Sequence, residues 1–431
     1  MMKRVWILML LLLLSGCQIG NEKLNQLDQN IEENLKESAV PAIDSELNLE
    51  DEREDLSKEE VVSETLTEAI QLEASIDEIL SNLSLEAKVA QMFYVTVEDY
   101  ERTGLSYGGI IFFKHNMTSA NQTQKIINKI QSEMTVPAFI GLDEEGGLVS
   151  RITGEASIGG TKIPSAWVLG HATTSNAVYI ANEIIARETR TLGFNMNFAP
   201  VSDVHTNPNN PIIGHRAFSD DPKVVGEKVM EAIKAYQHHN IIPVIKHYPG
   251  HGDTKEDSHL GTATLNHDLS RLKNVELVPF VEAIRGGVDV IMVGHLQVPQ
   301  VTGDLTPASL SETMIQEILI DELGFEGLVI SDALNMKSIV DYYDTKTMMD
   351  QGLDAGLNLF LMPENVDAAY EHLLKKAQTS KEAEMKINET LRKIIRLKLE
   401  NSLFEHKNQA MQDPVIGKVE DREKIADLLN D

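Results

Sequence analysis

The sequence predicts an α/β protein built on a single (β/α)8 barrel of the TIM type. Three observations carry this: eight short apolar runs recur between residues 92 and 361, amphipathic helical stretches separate most of them, and ionisable residues follow run after run. Eight strands alternating with helices is the arithmetic of that barrel. The loaded run ends favour it over an open doubly wound sheet, because a closed barrel gathers its strand ends round one rim.

The first 17 residues stand apart. Met1-Met2-Lys3-Arg4 is basic, Val5 to Leu14 is apolar but too short for an ordinary membrane span, and Leu14-Ser15-Gly16-Cys17 follows. This start resembles a bacterial lipoprotein signal with its lipobox. The resemblance implies lipidation at Cys17, a mature chain that begins there, and anchorage outside the cytoplasm through an N-terminal lipid inserted in the membrane. Cys17 is the single cysteine, so no intrachain disulfide is possible. Residues 18–73, with Glu50-Asp51-Glu52-Arg53-Glu54-Asp55 at their centre and almost no aromatics, read as an acidic, disordered, self-repelling tether. A net charge of -29 and the lack of basic clusters argue against nucleic acid as a partner.

The globular part is expected over 74–404. Ile76 to Val89 has helical periodicity, with Ile76, Ile79, Leu80, Leu83 and Val89 apolar. The strand candidates are Met92–Val97, Gly109–Phe113, Ala138–Leu142, Asn195–Ala199, Ile241–Ile245, Val288–Val293, Leu328–Ile330 and Leu357–Leu361. Helices are expected over Thr118–Ser132, Asn176–Leu192, Pro222–His239, Leu269–Arg285, Ser309–Leu323 and Asn365–Ala377. A last helix, Glu382–Leu403, has enough apolar positions to pack on the barrel wall, and 405–431 is a polar tail, either a surface helix or loose.

The strand ends carry the chemistry. They are Lys114-His115-Asn116, Asp143-Glu144-Glu145, Asp203, Lys246-His247, His295 and Ser331-Asp332. Most concentrated is the turn after Ile241–Ile245, where Lys246, His247, His251, Asp253, Asp257 and His259 fall within 14 residues. It can be read as a solvated connection, as a metal site, or as an acid/base pair of Asp257 and His259. The spacing fits no zinc-protease helix pair or Cys/His knuckle. On an extended segment residues i and i+2 share a face, so Asp257 could hold one ring nitrogen of His259 while the other meets substrate. Gly250 and Gly252, flanking His251, suggest a loop that moves.

Lys246-His247-Tyr248-Pro249-Gly250-His251-Gly252 followed by Asp257-Ser258-His259 resembles the signature of the glycoside hydrolase family 3 β-N-acetylhexosaminidases, the NagZ-like enzymes. The resemblance implies that Asp257 and His259 form the acid/base dyad. Ser331-Asp332-Ala333-Leu334-Asn335-Met336 resembles a second motif of that family and makes Asp332 the catalytic nucleophile. Asp143-Glu144-Glu145-Gly146-Gly147-Leu148-Val149-Ser150-Arg151 resembles a third, implying that Asp143 accepts hydrogen bonds from sugar hydroxyls and that Arg151 lines the pocket. Leu148 stands where that motif commonly has Arg, which puts details of pocket support in question. The segment Asn210–Phe218 implies a sugar contact for Arg216, with pairing to Asp220 or Asp221 as the alternative. Lys246 and His247 match a sugar-binding pair. His295 is a substrate contact or a support for one.

The resemblance covers about 79–404. Many relatives carry a second α/β domain that supplies the acid in glucosidases, and this chain stops before one, so the dyad is expected to supply it. The implied activity is retaining, exo-acting hydrolysis of terminal β-linked GlcNAc, with GlcNAc-ended peptidoglycan fragments as the carbohydrate partner and no metal or organic cofactor. Phosphorolysis or β-glucosidase-type activity on the same barrel, and a non-catalytic sugar-binding lipoprotein, are the alternatives.

Overall fold

The computed structural model describes residues 67–155, 157–256, 261–406 and 416–430. The chain divides into two units, Met1–Asp77 and Glu78–Asp431. Of the first, residues 67–77 are described and are helical, so helix begins before the boundary expected at 74. Cys17 and the rest of the expected signal and tether lie outside the described residues.

In the second unit, the expected helix Ile76–Val89 is interrupted, because Ser84 accepts a hydrogen bond from Ala87 N at 3.2 Å and starts a new helix, Leu85–Ala90. Ten strands follow: β1 (Phe93–Thr96), β2 (Gly109–Phe112), β3 (Phe139–Leu142), β4 (Met196–Asn197), β5 (Ile242–Tyr248), β6 (Ala263–Thr264), β7 (Val290–Val293), β8 (Leu296–Gln297), β9 (Leu328–Ser331) and β10 (Phe360–Leu361). Eight of them form one parallel sheet in the order β10-β1-β2-β3-β4-β5-β7-β9. Ser331 N donates to Leu359 O at 3.1 Å and Leu359 N to Val329 O at 3.1 Å, which joins β9 back to the start of β10. This is the expected barrel. β6 and β8 pair separately, in parallel, beyond the end of β7.

Alternation sorts the strand residues. Tyr94, Ile111, Ile242, Val244, Val290, Met292, Leu328, Ile330, Leu359 and Leu361 share one buried cluster inside the barrel, while their neighbours face the helices. Ile394, Leu397 and Leu403 belong to that same cluster. The last long helix, Lys381–Glu400, therefore does more than lie on the wall. Its Lys398, buried, donates to Gln91 Oε1 at 2.7 Å and Gly108 O at 3.1 Å and sits 4.7 Å from the Phe139 ring centroid. Gln91, Gly108 and Phe139 all stand at or before strand starts, so this helix seals the N-terminal end of the barrel. The opposite end is left for the site.

Two helical stretches depart from simple expectation. Leu269–Arg285 is two helices, Leu269–Asn274 and Val278–Arg285, since Pro279 can occupy the first turn of a helix but not its middle. Thr313–Glu322 winds as a π-helix, closed by Leu323 N to Ile318 O at 2.9 Å. The tail contains a helix, Val419–Asn430, which is docked: Arg187 bonds Asp421 at 2.6 Å, and Gly417 N donates to Glu188 Oε1 at 2.8 Å.

Candidate active site

Asp143 and Glu145 follow β3, Asp203 follows β4, Lys246 and His247 close β5, and Asp332 follows β9, all at the C-terminal rim. Lys246 is buried and its Nζ lies 2.7 Å from both Asp143 Oδ1 and Glu145 Oε1. Glu145 also takes both prongs of Arg216, from Nε and Nη2, each at 2.9 Å. Burial alone would raise the Glu145 pKa, but Arg216 and Lys246 hold it well below the carboxylate range. Burial would likewise lower that of Lys246, and Asp143 and Glu145 keep it above its usual value. Asp143 is thus held as a partly buried acceptor in front of a buried cation. Arg151 Nη2 reaches its other oxygen at 3.4 Å while the guanidinium lies 5.7 Å from the Phe113 ring centroid.

Arg216 meets neither of the carboxylates suggested by its sequence neighbours. Its fork is committed to Glu145, and Asp221 instead caps the helix Pro222–His238 by accepting from Lys223 N at 2.8 Å. Nη2 of Arg216 remains 3.5 Å from His247 Nε2, so its charge is presented beside that ring.

Sequence reasoning gave no role to Asp203, yet it organises this wall. The fully buried carboxylate accepts from His247 Nδ1 at 2.7 Å, His247 N at 3.2 Å and His251 N at 2.6 Å. Burial would raise its pKa, and the charge and hydrogen bonds of His247 bring it below the ordinary value. A carboxylate can only accept, so Nδ1 of His247 carries the proton and Nε2 is turned toward Arg216. Asp203→Asn should lower kcat/KM about tenfold to a hundredfold, chiefly through KM, because an amide N–H would compete for Nδ1 and reverse the ring's tautomer. A loss confined to thermal stability, with kinetics intact, would contradict this orienting role.

His251 is buried beside Asp203, with Nδ1 2.6 Å from Thr254 Oγ1, and burial pushes its pKa down to about 4. Between pH 6.5 and 4 the unfolded chain therefore binds a proton that the folded one does not, so stability falls on acidification through that window. The thermal midpoint should drop across it, and His251→Asn should flatten the drop. Parallel curves for the two proteins would assign the acid sensitivity elsewhere.

The glycines beside His251 serve close packing. A Cβ on Gly252 would lie 1.7 Å from Val204 O, and Gly250 has φ +124° with Glu276 Cβ 2.9 Å from where its own Cβ would be. Further along, Thr254 O accepts from Asn207 Nδ2 at 2.9 Å and Asn210 Nδ2 at 3.2 Å, and β6 returns the chain against β8. Asp257 and His259 lie outside the described residues, between these two anchors.

Asp332 N donates to Val293 O at 2.9 Å, and the carboxylate accepts from Ala333 N at 2.7 Å. His295 is buried, with Nδ1 2.7 Å from Ser309 Oγ and Nε2 3.0 Å from Ala333 O. Both ring nitrogens thus have protein partners, which makes His295 a support for the Asp332 turn. Glu144, also buried, accepts from Arg151 N at 2.7 Å and Ile152 N at 2.8 Å and shapes the turn that aims Arg151. Leu148, at the tip of that hairpin, is 89% exposed. Among the described residues no three His, Cys, Asp or Glu side chains converge as a metal would require.

A barrel rim that carries Asp332 together with a wall of paired donors and acceptors is suited to holding a polyol. The family model for the glycosyl hydrolase family 3 N terminal domain matches residues 84–397, well over half of the chain. The chain belongs to glycosyl hydrolase family 3. Among proteins similar to this family 3 chain is a "Beta-hexosaminidase A" of Pseudoalteromonas piscicida, 34% identical over 280 residues, which are 59% of this chain and 46% of that protein. A "Beta-hexosaminidase" of Stenotrophomonas maltophilia is 35% identical over 269 residues, 61% of this chain and 78% of the other. The chain therefore spans less than half the length of the first relative and most of the second. A solved family 3 β-N-acetylglucosaminidase from Paenibacillus sp. superposes with a TM-score of 0.75 at 33% identity, covering 80% of this chain and 68% of that one.

Proposed function

We propose that this family 3 protein is a retaining exo-β-N-acetylglucosaminidase that removes terminal β-linked GlcNAc. The observation that carries the reading is the Asp143–Lys246–Glu145–Arg216 chain, which fixes one partly buried acceptor and a flanking cation at the rim that also carries Asp332. Asp332 attacks the anomeric carbon, forming a glycosyl ester as the leaving oxygen takes a proton from His259. Water then releases the sugar, with His259 as base, and Asp257 orients the imidazole and balances its charge. Asp143 and His247 hold sugar hydroxyls. This assignment of Asp332, Asp257 and His259 rests on their motifs.

Rates on a panel of nitrophenyl β-glycosides test the reading. Turnover of the GlcNAc glycoside well ahead of the glucoside supports it. Dependence on added phosphate, with sugar phosphate as product, would point to a phosphorylase, and failure to turn over any glycoside would leave only sugar binding.

The site of action is proposed as the outer face of a membrane, on GlcNAc-ended wall fragments, from the basic start, apolar run and Leu14-Ser15-Gly16-Cys17 junction. Among the described residues no helix is long and apolar enough to cross a membrane. Cys17→Ser should move the enzyme out of the lipid-modified membrane fraction and abolish metabolic labelling with a fatty acid. Unchanged labelling would refute lipidation at this residue.

A further inference from the structure

Beside the site lies a group of rings to which the hydrolytic scheme gives no task. Trp167, half-buried on the short helix Ala166–Gly170, meets three imidazoles. His171 lies at 4.3 Å between ring centroids, His215 at 5.9 Å with planes 12° apart, and His205 edge-on at 5.5 Å. His171 and His215 are exposed. Two apolar side chains open to solvent stand on the same segments or next to them, Val168 at 40% and Leu148 at 89%. The hairpin that carries Leu148 is pressed against the segment that leads into this helix: Gly147 N donates to Ile163 O at 3.1 Å, and a Cβ on Gly147 would lie 2.8 Å from Ser165 Cα.

Two of the rings stand on the segment that also supplies the reacting wall. His215 immediately precedes Arg216, and His205 follows Asp203 by two residues. The same segment supplies Asn207 and Asn210, which fasten the loop at Thr254 just before the motif bearing Asp257 and His259. In a glycosidase the proton donor borders the leaving group, and Trp167 meets His205 and His215 on the segment that anchors the start of the loop.

We propose that Trp167, with His215 stacked beside it, forms a subsite for the second pyranose of the substrate, the sugar that leaves. The proposal rests on the reading of the site as an exo-acting glycosidase. A pyranose offers an apolar C–H face and a polar edge, so it can lie on partly exposed rings while its hydroxyls stay in water.

The test compares chitobiose with methyl β-N-acetylglucosaminide, which has no second ring, in the full-length wild type, Trp167→Ala and Trp167→Tyr. In Trp167→Ala, kcat/KM for chitobiose should fall about tenfold, the methyl glycoside should stay within about twofold, and Tyr should restore most of the loss. Equal losses on both substrates would mean that Trp167 only supports the site, and no loss on either would mean that the patch is unused; each overturns the proposal. The chain has two tryptophans, Trp6 and Trp167, so Trp6→Phe leaves one emitter. In that chain carrying Asp332→Ala as well, chitobiose should shift the emission and GlcNAc should not. If the wild type hydrolysed neither compound, the glycosidase reading would fall, and silent emission with chitobiose would remove the subsite independently.

Discussion

Asp332→Ala should lower kcat/KM by a factor on the order of ten thousand and change the stability of the fold by less than about 1 kcal/mol. The two halves of this expectation have different causes. The activity is lost because the neighbouring rim carboxylates among the described residues are committed elsewhere: Asp143 and Glu145 are bound to Lys246, and Asp203 is occupied by His247 and His251. The fold is spared because the turn is held by its backbone and by a neighbour. Asp332 N bonds Val293 O at 2.9 Å, Leu334 N bonds Leu361 O at 2.8 Å, and His295 grips Ala333 O at 3.0 Å, none of which uses the carboxylate. A covalent role also fixes the stereochemistry, since two displacements restore the starting configuration. Proton NMR of the first sugar released should show the β-anomer. An α-anomer at early times would mean that water attacks directly and that Asp332 serves as base.

The barrel was legible because a parallel strand buried on both faces leaves an apolar run in the sequence, and all seven residues of β5 are indeed buried. What such a run cannot show is its partner across the interior. The apolar stripe of Lys381–Glu400 announces a helix that packs on something, but only Lys398, a cation within that stripe, hints that it faces backbone carbonyls at the bottom of the barrel. The π-helix at Thr313–Glu322 was unreadable for a similar reason, because Met314, Ile315, Ile318 and Leu319 satisfy an α-helical stripe equally well.

In the site, residue types at strand ends marked the pocket, while the pairing among them was hidden. Glu145 and Arg216 are 71 residues apart and Asp203 and His247 are 44 apart, so no local pattern joins them. One signal was available. Three consecutive acidic residues after β3 cannot all face solvent and remain so close to a barrel rim, and Glu144 and Glu145 prove to be buried with donors of their own. The glycines around His251 were ambiguous in the sequence, since freedom of φ and absence of a side chain have the same signature there. Gly250 uses both, with φ +124° and Glu276 close by, and Gly252 uses the second, against Val204 O.

His259→Ala should reduce kcat/KM for chitobiose by roughly a thousandfold or more, but that for a dinitrophenyl β-N-acetylglucosaminide by only about tenfold. A sugar hydroxyl is a poor leaving group and needs its proton as the bond breaks, whereas a dinitrophenolate departs without one. Loss of the acid is therefore felt in proportion to the basicity of the leaving oxygen. With the activated substrate the first step stays fast and hydrolysis of the glycosyl ester becomes limiting, so a burst of nitrophenol should precede the steady rate. Asp257→Asn should shift both substrates in the same direction by a smaller factor, because an amide leaves the imidazolium without its balancing charge. The double variant should lose less than the product of the two single losses, as expected of groups that act as one unit. The loop's limbs favour such a division of labour: Asn207 and Asn210 hold Thr254, and β6 holds the return, so changes at 257 and 259 alter the chemistry while the barrel keeps its shape. An equal loss on the sugar and the dinitrophenyl substrates in His259→Ala would assign His259 to binding of the first sugar, and the proton donor would then have to be sought on another loop.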